Sequence, residues 1–327
     1  MTKLGYQIPN YTHPSVDVTD LFGVVAASAQ AAESAGADTV FVMDHFYQLP
    51  GIGPPDHAML EAYTTLSALA AVTEKVRLGT LVTGNTYRNP TLLAKEVTTL
   101  DIISGGRALL GLGAGWYELE HDSLGFEFGT FTDRFEKLEE AIQIIKPMLS
   151  DERPSFSGKH YQVTEAINQP RPIQEHLPIM IGGAGEKKTL RMVAQYADES
   201  NLICAVEQIP HKMEVLAGHC ATFDRDPAEI AVSWLGSVIM GRTTAEAEAA
   251  RDDYFQMQGM EYSQLPETVR AQINSRMMIG DPDTVAEQVQ TKLVDRGLPG
   301  LTFNLPATWH DPELVALAVQ TLKPLFP

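Results

Sequence analysis

Short apolar runs alternate with longer stretches of helical period along the whole chain. Residues 3–8 (KLGYQI) read as a strand, and residues 18–35 as an alanine-rich helix closed by Gly36. Residues 39–43 are the next strand and 61–72 the next helix. VRLGTLV, residues 76–82, predicts a third strand, and Pro90 opens a helix to about Ile103, a first-turn position that suits proline. Strands follow at 107–112 (RALLGL), 178–183 (PIMIGG), 199–205, 230–240 (IAVSWLGSVIM) and 301–304 (LTFN). Helical patterns cover 132–149, 186–196, 213–223, 283–295 and 312–325. Strand then helix, repeated eight times, implies parallel strands with crossover helices. The expected fold class is therefore α/β, a (β/α)8 TIM barrel with insertions.

Such a barrel needs about 250 residues, and the chain has 327. Two segments supply the surplus. Residues 150–177 are proline-rich and carry FSGKHYQ, and residues 242–278 carry GMEYSQLP. Both are read as insertions into one barrel domain over residues 1–327. A doubly wound open sheet is the rival, but its GxGxxG loop after the first strand is absent.

Composition narrows the function. The net charge of −18 argues against nucleic acid, whose phosphates need a basic face. No run of 18 apolar residues or signal-peptide pattern suggests a membrane or export route. Cys204 and Cys220, the two cysteines, have no CxxC spacing, which suggests reduced thiols and a cytoplasmic setting, with no metal site. An anionic ligand would have to be held by local devices such as helix N-termini or a few lysines.

In barrels of this type catalytic groups come from loops at the C-terminal ends of the strands. The second strand runs straight into Asp44 and His45 in FVMDHFYQ. The first ends in Gln7 and Asn10, the third in TGNTYRNP (83–90), the fourth in GLGAGWYELE (111–120), the fifth in GGAGEKKTLR (182–191) and the last in Asn304. Gly182, Gly183, Ala184 and Gly185 lie where a glycine-rich turn and a helix N-terminus gather backbone N–H groups for a phosphate, with Lys187, Lys188 and Arg191 beside them. A tight turn that needs glycine for its backbone angles accounts for the same stretch equally well. The glycines of GLGAGW would let a flat ring approach the backbone, Trp116 would stack on it or wall off a pocket, and Glu120 could accept a hydrogen bond. A flat, phosphate-bearing, flavin-like ligand fits these parts. His57, His121 and His160 are solitary in sequence and read as solvated. GxSxG, HExxH, P-loop and calcium-loop patterns are absent.

These residues bear a resemblance. VMDHFYQ, VRLGTLVTGNTYRNPTLLAKEVTTLDIISGGRALLGLGAGWYELE, LGFEFGTFTDRFEKLEEAIQII and IMIGGAGEKKTLRMVAQYAD resemble the bacterial luciferase-like superfamily of flavin and deazaflavin oxidoreductases, most closely the actinobacterial group that uses coenzyme F420. The likeness is close over residues 3–205 and general beyond. It implies a non-prolyl cis peptide between Leu81 and Gly84, so that Leu81, Val82, Thr83 and Gly84 back the ring. It also implies a phosphate on Gly182 to Gly185, a hydrogen bond from Asp44 to the ring, and His45 as general acid or base beside the redox carbon. Relatives of the glucose-6-phosphate dehydrogenase branch carry a Glu where this chain has Trp116, with Glu120 a turn further on, so a two-residue acid/base mechanism does not transfer.

The expected activity is hydride exchange between F420 and a small organic substrate. Alternatives are a monooxygenase using reduced FMN from a separate reductase, and a cofactor-binding protein without chemistry. Relatives are commonly dimers, which makes a homodimer the expected assembly. Phe156, Tyr161, Tyr254 and Tyr262, in the two insertions, are candidates to line the substrate site.

Overall fold

The computed structural model describes residues 1–150 and 153–327; residues 151 and 152 of the first insertion lie outside the described residues. Eight parallel strands pair in chain order: β1 (Leu4–Ile8), β2 (Thr39–Val42), β3 (Arg77–Thr80), β4 (Ala108–Gly113), β5 (Ile179–Gly182), β6 (Glu199–Leu202), β7 (Ala231–Met240) and β8 (Leu301–Asn304). β8 returns to β1 in register Leu4 to Leu301, which closes the barrel as the alternation predicts. These strands are almost wholly buried, so they read as continuous apolar runs and not as alternating ones.

Helices α1 (Leu21–Ala35), α2 (Ala62–Val72) and α3 (Pro90–Ser104) follow the first three strands. Their ends obey local chemistry. Gly36 and Gly105 end α1 and α3 at φ 100° and 70°, a left-handed geometry that glycine adopts without a Cβ clash. Glu61 caps α2 by accepting from the amides of Tyr63 and Thr64, and Asn89 caps α3 ahead of Pro90. Two helices follow β4, a short α4 (Glu118–Leu124) and α5 (Phe131–Met148); α6 (Thr189–Tyr196) and α7 (Ile209–Thr222) follow β5 and β6.

Three differences between the sequence reading and the structure bear on the barrel mouth and the helices around it. β3 stops at Thr80, the Leu81–Val82 peptide is cis, and the chain rejoins the sheet at Thr83–Gly84 beside β4. The helix expected from residue 186 starts at Thr189, because residues 186–188 form a turn in which Gly185 accepts from the Leu190 amide. The helix expected from residue 213 starts at Ile209, with Pro210 in its first turn.

The first insertion forms an antiparallel hairpin, Phe156–Ser157 on Gln162–Val163. Its tip is clasped by Glu140 of α5, whose carboxylate accepts from the successive amides of Lys159, His160 and Tyr161. The second contains α8 (Thr244–Met257) and α9 (Glu267–Arg276), followed by Met277–Gly280, which lies parallel beside the last residues of β7. Among the described residues no helix is long and apolar enough to cross a membrane.

Candidate active site

β2 ends at Val42, and Asp44 stands just beyond it, 2% exposed. One oxygen, Oδ2, accepts from the Gly84 amide at 3.0 Å and from Arg88 at 2.7 Å. Arg88 also meets Glu61 at 2.6 Å and Glu96 at 3.1 Å, so a buried cation is gripped by three carboxylates. Burial pushes the Asp44 carboxyl up, with Arg88 opposing that rise. Burial works against the Arg88 cation too, but Asp44 outweighs it and holds the guanidinium firmly charged. The cluster pins the β3 exit against the β2 exit.

His45 points the other way. Its Nδ1 lies 2.9 Å from Glu120 Oε2, and its ring sits edge-on to Trp116 (5.8 Å between centroids) and Tyr117 (6.0 Å). Trp116 stacks on Tyr117 and is 57% exposed, so it stands at the rim as a free aromatic face. Glu120 was read as a possible acceptor for the ligand; the structure places it elsewhere. It is wholly buried beneath His45, also accepting from the Tyr87 hydroxyl and from the amides of Phe46 and Tyr47. Burial raises its carboxyl, but the His45, Tyr87 and amide hydrogen bonds win and hold it below its ordinary value. His121, solitary in sequence, is also buried here: Nε2 meets the Thr86 hydroxyl at 2.7 Å and Nδ1 the Tyr117 carbonyl at 2.8 Å. Through these bonds the ends of β2, β3 and β4 become one unit.

The glycines of GLGAGW serve a different neighbour from the one expected. A Cβ on Gly111 would lie 2.0 Å from the Thr80 carbonyl oxygen, and one on Gly113 would lie 2.7 Å from Val82. Gly182 likewise faces Val82 at 2.9 Å. These positions make room for the chain's own third strand, which crosses the barrel mouth where a ring was expected to meet the glycines. Around that crossing an apolar cluster of Phe41, Leu81, Leu109 and Met180 is bordered by polar groups. Gln7 donates to the Leu81 carbonyl and accepts from Asn304 at 2.9 Å, and Asn201 donates to Ser233 at 2.9 Å. The side-chain oxygens of Asn201 and Asn304 are buried with no partner in the protein.

After β5, Gly183 adopts φ 117° and its amide is taken by the Asn201 carbonyl. Among the described hydrogen bonds the amides of Ala184 and Gly185 have no protein partner, so they can meet an anion. Lys187 is exposed, whereas Lys188 lies over the rings of Phe135 and Phe131. The insertion aromatics do not converge: Tyr254 and Tyr262 pack in one cluster with Phe255, and Tyr161 and Phe156 pack on the main core. Arg88, Tyr87, Asn201 and Ser233 were not singled out from sequence, since a charged or polar residue in a loop gives no sign of what it will meet.

Asp44, His45, Leu81 to Gly84, Trp116 and Gly182 to Gly185 thus lie at the C-terminal ends of β2 to β5, with Asp44, Thr83 and Gly84 buried and the Thr83 hydroxyl bonded to Tyr63 and Thr80. The unpartnered asparagine oxygens and the free amides of the glycine loop suit a planar, hydrogen-bonding ring with a phosphate.

Comparison with known proteins agrees with this architecture. Residues 3–299 match the family of luciferase-like monooxygenases. An F420-dependent glucose-6-phosphate dehydrogenase of Kineococcus radiotolerans is 31% identical over 313 residues, 87% of each chain. Two solved structures share the fold at low identity. The coenzyme F420-dependent tetrahydromethanopterin reductase of Methanopyrus kandleri has a TM-score of 0.79 at 18% identity, covering 100% of this chain and 99% of that one. The monooxygenase RslO1 of Streptomyces bottropensis has a TM-score of 0.81 at 18% identity, covering 99% and 100%.

Proposed function

Because the chain belongs to the luciferase-like monooxygenase family, we propose that it is an oxidoreductase exchanging a hydride between the deazaflavin coenzyme F420 and a small organic substrate. The observation that carries this reading is His45, held by a buried carboxylate at a mouth whose border is hydrogen-bonding and phosphate-ready. When bound, a deazaflavin supplies a carbon that carries two electrons as hydride and does not activate oxygen.

The chain's own residues do the rest. Ala184 and Gly185 meet the phosphate through their amides, within the loop Gly182 to Gly185. Leu81, Val82, Thr83 and Gly84 back the ring, and Asp44 keeps that segment in place through Gly84 and Arg88. Asn201 and Asn304 accept from ring N–H groups, and Trp116 walls the open side. His45 moves the proton that accompanies the hydride, at Nε2, since Nδ1 is committed to Glu120.

The acidic chain with two free thiols suits the cytoplasm.

The test is binding of F420 and of FMN, side by side, followed by quenching of tryptophan fluorescence, for which Trp116 at the rim is a natural reporter. Micromolar or tighter binding of F420 with weak binding of FMN is the expected result. The reverse preference would replace this reading with a monooxygenase that uses reduced FMN.

A further inference from the structure

We infer that Glu120 is a positioning residue: it never touches ligand, and it sets which nitrogen of His45 faces the barrel mouth. The inference rests on the reading of His45 as the group that moves a proton. Every acceptor direction of this carboxylate is spoken for. One oxygen, Oε1, takes the amides of Phe46 and Tyr47; the other, Oε2, takes the Tyr87 hydroxyl and His45 Nδ1. The side chain is 0% exposed, so no substrate can reach it.

An ionised carboxylate can only accept, so Nδ1 must carry the hydrogen of that bond, and Nε2 is the nitrogen left to exchange protons. The two amide bonds add a second constraint. Phe46 and Tyr47 directly follow His45, so one carboxylate holds both the ring and the backbone that carries it. Tyr87 completes the device from the β3 loop. Burial, then its bond to Glu120, holds its hydroxyl protonated far above neutrality, so it remains a donor throughout the working range.

Other charged and titratable groups face the pair from each neighbouring element. Asp44 adjoins His45 and is itself paired with Arg88; Tyr117 and His121 come from the α4 side. Arg88 is shared by Asp44, Glu61 and Glu96, and Glu120 is the carboxylate in hydrogen-bond contact with the imidazole.

The test uses the full chain and titrates the His45 ring by NMR, assigned with a His45→Asn variant. Glu120→Gln keeps the shape and removes the charge, and should move the ring's titration to lower pH. Tyr87→Phe removes a donor from the carboxylate, makes it a stronger acceptor and should move the titration to higher pH. A purely structural carboxylate has no reason to produce opposite signs in the two variants. In turnover with F420, Glu120→Gln should lower kcat ten- to hundredfold and shift its pH profile with the ring, while F420 affinity stays within about threefold. Should Glu120→Gln fail to fold, Tyr87→Phe and Glu120→Asp carry the same titration. An unmoved titration in the folded variants overturns the role of Glu120. A moved titration with kcat and its pH profile unchanged overturns instead the reading of His45 on which it rests.

Discussion

The two ends of the barrel treat buried charge in opposite ways. At the N-terminal end, Arg77 at the start of β3 meets Glu199 at the start of β6 at 2.8 Å, and the Thr2 hydroxyl accepts from Arg77 at 2.6 Å. The Thr2 amide reaches both Glu199 oxygens at 3.3 Å, and the Thr39 hydroxyl meets that of Thr2 at 2.9 Å. Nothing in that plug is left over. At the C-terminal end another arginine–carboxylate pair, Arg88 on Asp44, sits in the same mouth as the asparagine oxygens of 201 and 304, which are buried without partners. A buried polar group left unpaired costs about 1–3 kcal/mol. The ion pair of the plug is matched by its own neighbours, whereas the unpartnered asparagine oxygens of the mouth are available to a ligand.

That contrast can be broken by substitution, and the largest effect should come from the mouth. His45→Ala is expected to lower kcat on the order of 10²- to 10⁴-fold, the range for a lost general acid or base, while melting temperature and F420 affinity hold nearly constant. A loss below fivefold would move the reacting proton elsewhere. Glu199→Ala should do the reverse. Leaving Arg77 buried without its carboxylate is expected to cost about 3–5 kcal/mol in a urea titration, with kcat per folded molecule unchanged. Equal losses of activity and stability from both variants would erase the distinction between the ends. Smaller still is Asn201→Leu. It removes an oxygen with no protein partner but also the Nδ2 donor to Ser233, so stability should fall by about 1 kcal/mol, the net worth of that one bond, while F420 binding should weaken by about tenfold.

The contrast also marks what could be read from the sequence. The strands were legible because a parallel barrel buries both faces and prints short apolar runs between turn residues. Asp44 and His45 stood out because polar residues follow such a run without a turn. Glu120 was misread for a physical reason: YELE looks like a solvated helix start, and its partner His45 lies 75 residues away. Only closure of the barrel brings the ends of β2 and β4 together around the β3 loop. Gly111 and Gly113 were legible as close approaches, but the approaching group, the Thr80 carbonyl or Val82, depended on the path of the chain after β3. Arg88 left no trace in the sequence, since its three carboxylates come from three different segments.

An effect of similar size should come from a site that belongs to neither end's charge network. His13, after β1, and His310, after β8, stack with centroids 3.6 Å apart. Burial, and next the facing His13, push the His310 imidazole down from 6.5 to about 4, with Asp311 alone opposing. The folded protein therefore binds fewer protons here than the unfolded chain does. This contribution to stability is complete above pH 6.5 and is lost as pH falls through the folded value near 4. A shift of this size would be worth about 3 kcal/mol at full burial, and partial exposure reduces it to about 1–2 kcal/mol. Urea titrations from pH 7 to 4 should show that loss in the native chain and a flatter profile in His310→Asn. Glu120, whose carboxyl is held below its ordinary value, contributes stability that is present above the unfolded carboxylate range and lost only at lower pH. The two windows therefore overlap only near pH 4, and the loss above that belongs to the imidazole. An acid profile that stays equally steep between pH 6.5 and 4 in the variant would transfer the loss from the stacked imidazoles to the other groups that titrate in that window.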